Sequence, residues 1–155
     1  MIQITNFLPK YFEGVVGCYQ EGFPRGHNRY TLSRLARWQS DTILIALDNT
    51  RVTGVLIGFT SYREAWITAL TVLPSAQSFN KISLLLAEAM ARRFTEIGFT
   101  EAKFTTARRS VLKLARLVNP CSIDTIPNCY YDDHARYLVT VNTASVPPLK
   151  LLLSR

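Results

Sequence analysis

The chain has 155 residues, of which 48% are hydrophobic and 19% charged, and its formal net charge is +7. This composition excludes an intrinsically disordered chain and predicts one globular domain with a single core. The basic balance favours acidic partners, such as a phosphorylated cofactor, nucleic acid or an anionic surface, without selecting among them.

The three cysteines, Cys18, Cys121 and Cys129, include no closely spaced pair, which argues against a disulfide framework and against a zinc site. No apolar run reaches the roughly 20 residues that span a bilayer. The N-terminus lacks the basic start and apolar core of a signal peptide. We therefore expect a cytoplasmic protein with no membrane span and no metal.

The beginning of the chain predicts a strand followed by two helices. Met1 to Thr5 is the strand, Asn6 is the expected cap of the first helix, and Phe23-Pro24 ends that helix. Thr31 is the expected cap of a second, short helix that continues to Trp38.

Four arginines lie in and before the second helix: Arg25, Arg29, Arg34 and Arg37. One interpretation is a solvated face. The other is contact with an acidic partner or with nucleic acid, which predicts binding that weakens steeply with salt. The aromatic residues beside these arginines are Tyr30 and Trp38.

Three strands follow in succession and predict an antiparallel meander. They are Thr42 to Leu47, Val52 to Ser61 and Trp66 to Leu73, joined by short turns. Gly54 and Gly58 lie inside the second of these strands, which predicts a bulge or the close approach of another backbone.

A long amphipathic helix follows the third strand of the meander. Its apolar residues recur at spacings of three and four and are Ile82, Leu85, Leu86, Ala89, Met90 and Ile97. Gly98 ends the helix, and a strand over Glu101 to Ala107 follows it. A crossover of this length predicts that this strand runs parallel to the third meander strand. The free amides at the start of such a helix form a ready anion site.

The end of the chain predicts a helix over Arg109 to Val118 and a last strand over Tyr137 to Val141, with only a weak pattern over Ser122 to Pro127. The remaining tail, 142–155, contains Leu149, Leu151, Leu152 and Leu153. Because so apolar a tail is costly to expose, we expect it to pack on this domain, on a second copy or on another partner.

This order of elements resembles the GCN5-related N-acetyltransferase superfamily over about Met1 to Val141. The most specific part is Ala69 to Gln77, followed by Leu84-Leu85-Leu86 and Gly98-Phe99. The resemblance implies a single α/β (α+β) domain with a mixed, mostly antiparallel central sheet flanked by helices. It also implies an acyl-CoA-dependent N-acyltransferase with acetyl-CoA as co-substrate and an amine as acceptor.

In that family, a motif of the form Gln/Arg-x-x-Gly-x-Gly/Ala binds the pyrophosphate of coenzyme A through backbone amides. Gln77 matches the first position, whereas Asn80 and Ile82 stand where glycines are expected, so the motif is degenerate. Asparagine tolerates unusual backbone angles, and Lys81 would add a positive charge. The residues implied to contact the cofactor are Leu70, Val72, Leu73, Gln77, Ser78, Asn80, Lys81 and Ile82.

Acetyl transfer to an amine needs a base, a contact to the thioester carbonyl and an acid for the departing thiolate. Glu64 precedes the third meander strand, where family members often carry a glutamate, and His27 lies in the loop that lines the acceptor site in the family. The helix after Arg109 lacks the family's tyrosine acid, which leaves Tyr130 and Tyr131 as candidates. Surface or core roles are the alternative for each of these residues.

Two functions from different classes therefore remain open. The first is acyl transfer to an unidentified amine. The alternative is a catalytically inactive module with the same fold that binds a protein or nucleic-acid partner. The missing loop glycines, the missing tyrosine and the leucine-rich tail favour this alternative.

Overall fold

The computed structural model describes residues 1–76, 79–117, 120–126 and 136–145. The strands in this part of the chain are β1 (Ile2–Asn6), β2 (Ile43–Asp48), β3 (Arg51–Thr60), β4 (Ala65–Val72), β5 (Glu101–Thr106), β6 (Pro120–Ile126) and β7 (Arg136–Asn142). The helices are α1 (Phe12–Gly22), α2 (Arg29–Trp38), α3 (Phe79–Ile97) and α4 (Arg109–Leu117).

The seven strands form one sheet in the order β1-β2-β3-β4-β5-β7-β6. Neighbouring strands are antiparallel except β4 and β5, which are parallel, as the length of the α3 crossover predicts. The predicted fold class, a mixed and mostly antiparallel sheet flanked by helices, is confirmed.

Helices cover both faces of the sheet and divide the core into two layers. On one face, α1 and α2 pack against Ile43 and Ile45 of β2. On the other face, α3 and α4 pack against a layer that includes Leu44 and Ala46. Because successive side chains of a strand point to opposite faces, the continuous apolar run of β2 supplies both layers.

Two predicted helix caps are wrong. Asn6 belongs to β1, and its side-chain oxygen accepts a hydrogen bond from Arg93 at 2.6 Å, while a 3₁₀ turn, Pro9–Tyr11, leads into α1. The cap of α2 is Asn28, whose side chain accepts the backbone N–H of Thr31 at 2.9 Å. An asparagine three residues before the donating amide is as good a cap as the threonine that the sequence pattern favours.

The segment near the end of the chain whose sequence pattern is weak forms a strand, β6, which pairs antiparallel with β7. Its sequence mixes Ser122, Asp124 and Thr125 with apolar residues, and these three side chains are exposed. A strand at the edge of a sheet needs little apolar patterning, which is why its signal is weak.

None of the helices in the described ranges is long and apolar enough to cross a membrane. The beginning of the predicted tail is a 3₁₀ turn, Thr143–Ser145, which is fixed to α3 by a 3.0 Å hydrogen bond from the Thr95 hydroxyl to the Thr143 hydroxyl. The leucine-rich end, 149–153, lies outside the described residues, and its packing stays a prediction.

Candidate functional site

The sheet splits between its two parallel strands. Within the described ranges, β4 and β5 pair at a single position, Trp66 with Lys103, whereas β4 pairs with β3 from Ala65 to Val72. The register of β3 and β4 also shifts between Ile57 and Gly58, which leaves an extra residue in β4. Beyond this pair the described residues of β4 and β5 are not paired, so the sheet is left with an opening between them toward their C-terminal ends.

Main-chain groups of β4 face this opening. Leu73 donates its amide to the Thr53 carbonyl of β3 at 2.8 Å, so Leu73 and Thr53 are a hydrogen-bonded pair of the ladder. Hydrogen-bonded and non-bonded pairs alternate along an antiparallel ladder. Val72, opposite Gly54, and Leu70, two residues earlier, are then non-bonded positions whose amides point away from β3, toward β5.

The hydrogen bonds of the main chain show which of the three cofactor contacts predicted at the end of β4 are free to bind a ligand. The amides of Leu70 and Val72 are available at the opening. The Leu73 main chain is engaged on both sides, because its carbonyl also accepts the amide of Ala76 at 2.9 Å. Its side chain is buried in the layer beneath α1. Leu73 therefore anchors the end of the strand and is less available to a ligand.

The N-terminus of α3 lies at the open end of the split, because Ile82 in its first turn packs against Gly54, the residue of β3 that pairs with the end of β4 at Val72. The helix begins at Phe79, so the amides of its first turn have no acceptor within the helix. Lys81 is exposed in this turn. Two of the predicted loop contacts, Gln77 and Ser78, lie outside the described residues, as does the side chain of Asn80.

Ile82 occupies a different environment from the one expected at a phosphate loop. Its side chain is fully buried in the core layer beneath α3. A Cβ built on Gly54 would lie 3.0 Å from Ile82 Cγ2 and 3.1 Å from Leu86 Cδ1. Gly54 thus makes room for an isoleucine where the family motif has a glycine, and only the Ile82 main chain remains for a loop contact.

A polar cluster lies at the closed end of the split. Lys103 donates to one carboxylate oxygen of Glu64 at 2.9 Å, and the indole nitrogen of Trp66 donates to the other at 3.0 Å. The Lys103 ammonium also lies 5.9 Å from the Trp66 ring centroid. The hydrogen bonds from Trp66 and Lys103, together with the lysine charge, lower the pKa of the Glu64 carboxyl.

Lys103 was not predicted from the sequence. It alternates with apolar residues on β5 like any exposed strand residue, and only the β4–β5 pairing brings it to Glu64. Arg108 and Arg109 are a second addition, since they are exposed where α4 begins, after the C-terminal end of β5. They add positive charge beside the opening.

The other predicted catalytic residues are not brought to this cluster by any contact among the described residues. The His27 ring stacks on Tyr19, with ring centroids 6.0 Å apart, and the His27 amide donates to the Tyr19 hydroxyl at 3.1 Å. Tyr130 and Tyr131 lie outside the described residues. No group of three or more His, Cys, Asp or Glu in the described ranges could hold a metal ion.

Among the described residues, two shallow grooves lie away from the cluster at the closed end of the split. One, of about 390 Å³, runs along α1 and includes Lys10, Cys18 and Arg51. The other, of about 220 Å³, lies between β1 and α3 and includes Arg92 and Arg93. Neither groove contains Glu64, so neither belongs to the cluster at the closed end of the split.

Several solved structures share this architecture. Ard1 from Thermoplasma volcanium aligns with a TM-score of 0.78 at 19% sequence identity, covering 91% of this chain and 97% of that protein. The ribosomal-protein-S18-alanine N-acetyltransferase from Escherichia coli aligns with a TM-score of 0.77 at 12% identity, covering 92% of this chain and 94% of that protein. The diaminobutyrate acetyltransferase EctA from Paenibacillus lautus, solved with its substrate and coenzyme A, aligns with a TM-score of 0.74 at 13% identity, covering 92% and 96%.

Comparisons at the level of sequence add nothing further. No protein-family model matches the chain. No curated protein matches it either. The structural similarity nevertheless covers nearly the whole of each chain, and it defines the fold. This chain has the GCN5-related N-acetyltransferase fold, as the resemblance of its sequence implies.

Proposed function

We propose that this chain is an acyl-CoA-dependent N-acyltransferase that transfers an acetyl group to an amine. The observation that carries the proposal is the split between β4 and β5, where the amides of Leu70 and Val72 face an opening. The α3 N-terminus lies at the open end. The shared fold supports the same activity, because two of the similar structures are acetyltransferases and one of these was solved with coenzyme A.

The opening suits the chemical groups of coenzyme A. Its pantetheine arm contains amides, which can extend the hydrogen bonding of an open strand edge such as Leu70 and Val72. Its pyrophosphate suits the free amides of the first turn of α3, with Lys81 adding charge and Gln77, Ser78 and Asn80 as the remaining proposed contacts. Bound acetyl-CoA would supply the acetyl group as a thioester.

The cluster at the closed end gives Glu64 its proposed role. A carboxylate with a lowered pKa is ionised at neutral pH but is a weak base. It can hold the attacking amine through a hydrogen bond, directly or through water, and accept its proton only as attack on the thioester makes that nitrogen acidic. Trp66 and Lys103 hold it in one position. Tyr130 or Tyr131 is the proposed acid for the departing thiolate, and His27 is the alternative base.

Calorimetric titration with acetyl-CoA tests the proposal directly. We expect saturable one-to-one binding with a micromolar dissociation constant. Lys81→Glu should weaken binding about tenfold, because it reverses a charge at the helix N-terminus. Arg92→Glu is the matched control, since it reverses an exposed charge on the same helix about 16 Å further along. Absence of binding by folded protein at millimolar acetyl-CoA would refute the proposal.

Release of free coenzyme A in the presence of a panel of amines then separates acyl transfer from the inactive-module alternative. The observation that favours the alternative is the buried Ile82, which replaces a loop glycine with a core side chain. If acetyl-CoA binds but no amine raises the release of thiol above background, the alternative is favoured. Loss of self-association or of a partner after deletion of 149–155 would support it independently.

A further inference from the structure

We propose that one face of α2 binds single-stranded nucleic acid, independently of acyl transfer. This α2 face consists of Tyr30, Arg34, Arg37 and Trp38, whose positions i, i+4, i+7 and i+8 place them on one side of the helix. The opposite side of α2 is anchored in the core through Leu32. The face is therefore held on a fixed element and is directed outward.

The aromatic residues of the α2 face are unusually exposed. Tyr30 is 70% exposed and Trp38 is 76% exposed. Large exposed aromatic rings cost free energy in water, and they recur where a protein stacks on the flat faces of a ligand. Their separation of eight residues corresponds to about 12 Å along the helix, which is the reach of a few nucleotides of an extended single strand.

The arginines of the α2 face lie in a region without local compensation. No acidic residue occurs between Glu21 and Asp41, a stretch that contains four arginines. Arg29 is paired with Glu13 through both carboxylate oxygens, which removes it from the available charges. Within the described residues, no salt bridge involves Arg34 or Arg37.

The geometry combines the two groups that a single strand requires. The Arg34 guanidinium lies 5.9 Å from the Tyr30 ring centroid, so a stacking surface and a phosphate donor are adjacent. Positive charge that follows the backbone, together with aromatic rings that stack on bases, is the usual arrangement in proteins that bind single strands. An acidic peptide would use the arginines and leave both rings unused. A membrane would need an apolar outer face, and the apolar side of α2 is buried.

Fluorescence anisotropy with a labelled oligouridylate of about 12 nucleotides tests the proposal. At about 50 mM salt we expect saturable binding with a dissociation constant of roughly 1 to 100 μM. Contacts from Arg34 and Arg37 predict a slope of about −1.4 in a plot of log affinity against log salt, from roughly −0.7 per phosphate.

Matched variants assign the binding to this face. Arg34→Gln with Arg37→Gln should reduce the slope by about 1.4, whereas Trp38→Ala should weaken binding roughly 5- to 100-fold with the slope unchanged. Arg92→Gln, an exposed arginine on α3 across the sheet, is the control and should change neither. All four positions are exposed, and unfolding curves verify that each variant is folded.

Four results would overturn the proposal. They are the absence of saturable binding at low salt, an equal effect of Arg92→Gln, complete displacement of the oligonucleotide by polyglutamate at matched charge, and equally tight binding to anionic phospholipid vesicles. The third would assign the α2 face to an acidic protein, and the fourth would assign it to a membrane surface.

Discussion

At the scale of single residues, Glu64 gives the site its clearest electrostatic signature. The folded pKa of Glu64 is lowered from its ordinary value of 4.5, first by the hydrogen bond from Trp66 and then by Lys103. A group with a lowered folded pKa stabilises the folded state fully above its unfolded pKa. That contribution is lost as the pH falls through the folded pKa. The relevant window therefore lies below about pH 4.5.

We expect Glu64→Gln to lower the midpoint of thermal unfolding at pH 7 and to have a shrinking effect as the pH falls below 4.5. The effect should be small, because the pair is partly exposed. Thermal unfolding of both proteins from pH 7 to pH 3 measures it. Glu101→Gln, an exposed carboxylate on β5, controls for loss of charge alone. A difference that persisted unchanged at pH 3 would contradict the assigned cause.

Cys18 gives the second prediction at this scale. It is 2% exposed, and burial raises the pKa of its thiol to about 12. At pH 8 roughly one molecule in 10⁴ would then carry the reactive thiolate. In a protein with Cys121→Ser and Cys129→Ser, iodoacetamide should label Cys18 very slowly until denaturant is added, as mass spectrometry can follow. Rapid labelling of the folded protein would show an accessible, ionised thiol instead.

The partners of individual side chains were the feature that could be predicted least well from the sequence. Glu64 could be selected as a candidate because it precedes the third meander strand, where members of the family that the sequence resembles often carry a glutamate. Its partner Lys103 could not, since the two residues are 39 positions apart and meet only through the parallel pairing of β4 and β5. Asn6 illustrates the same limit, because it could cap a helix, whereas it lies in β1 and its side chain is held by Arg93, 87 positions away.

At the scale of elements, the packing of α3 on β3 follows from two glycines. A Cβ on Gly54 would press on Ile82 and Leu86, and a Cβ on Gly58 would lie 3.0 Å from Phe94 Cζ and 3.2 Å from a backbone carbonyl oxygen. Their positions in a strand predicted a close approach. The sequence could not indicate that the approaching groups were mainly α3 side chains, because that depends on the register between helix and strand.

We expect Gly54→Ala to destabilise the protein by about 1–3 kcal/mol, because the added methyl overpacks the contact with Ile82. Gly54→Ala should cost less in an Ile82→Ala background than in the natural sequence, because alanine lacks the Cγ2 atom that the added methyl would press on. Chemical denaturation measures both. The control is Gly17→Ala on α1, where nothing lies within 4 Å of the added methyl. That change should stabilise the helix by about 0.5–1 kcal/mol.

The pair of variants separates packing from backbone effects. If Gly54→Ala were neutral, α3 would lie further from β3 than described, and Ile82 could then turn toward the loop. If Gly17→Ala were as destabilising as Gly54→Ala, intolerance of substitution would be general and would carry no information about the α3 contact.

At the scale of the whole molecule, the succession of helices and strands other than β6 could be predicted because these elements have strong local signals. The apolar run of β2, the amphipathic stripe of α3 and the positive φ of 111° at Gly98 each follow from nearby residues. The split in the sheet has no such signal. The sequence of β4 predicts a continuous strand. That most of this strand lacks a partner on one side depends on the path of β5, which pairs with it at a single position.

The split predicts a pattern of amide hydrogen exchange along β4 in which neighbouring residues serve as controls for one another. Ala69 and Thr71 face Ile57 and Val55 at hydrogen-bonded positions of the ladder, whereas the amides of Leu70 and Val72 point into the opening. In the free protein, the rate of amide hydrogen exchange measured by NMR should therefore alternate along β4. It should be slow at Ala69 and Thr71 and fast at Leu70 and Val72. All four are in one strand, so global stability cannot cause the alternation.

Saturating acetyl-CoA should then slow exchange at Leu70 and Val72, because a ligand that bonds to those amides closes them to water, while Ala69 and Thr71 should change much less. A ligand bound elsewhere would instead slow the exchange of all four amides by a similar factor, because it raises the free energy of global unfolding by RT ln(1 + [L]/Kd). Uniform protection of the four amides in the free protein would mean that β4 and β5 are paired along their length. The sheet would then have no opening for a cofactor, and the proposed acyltransferase function would lose the observation on which it rests.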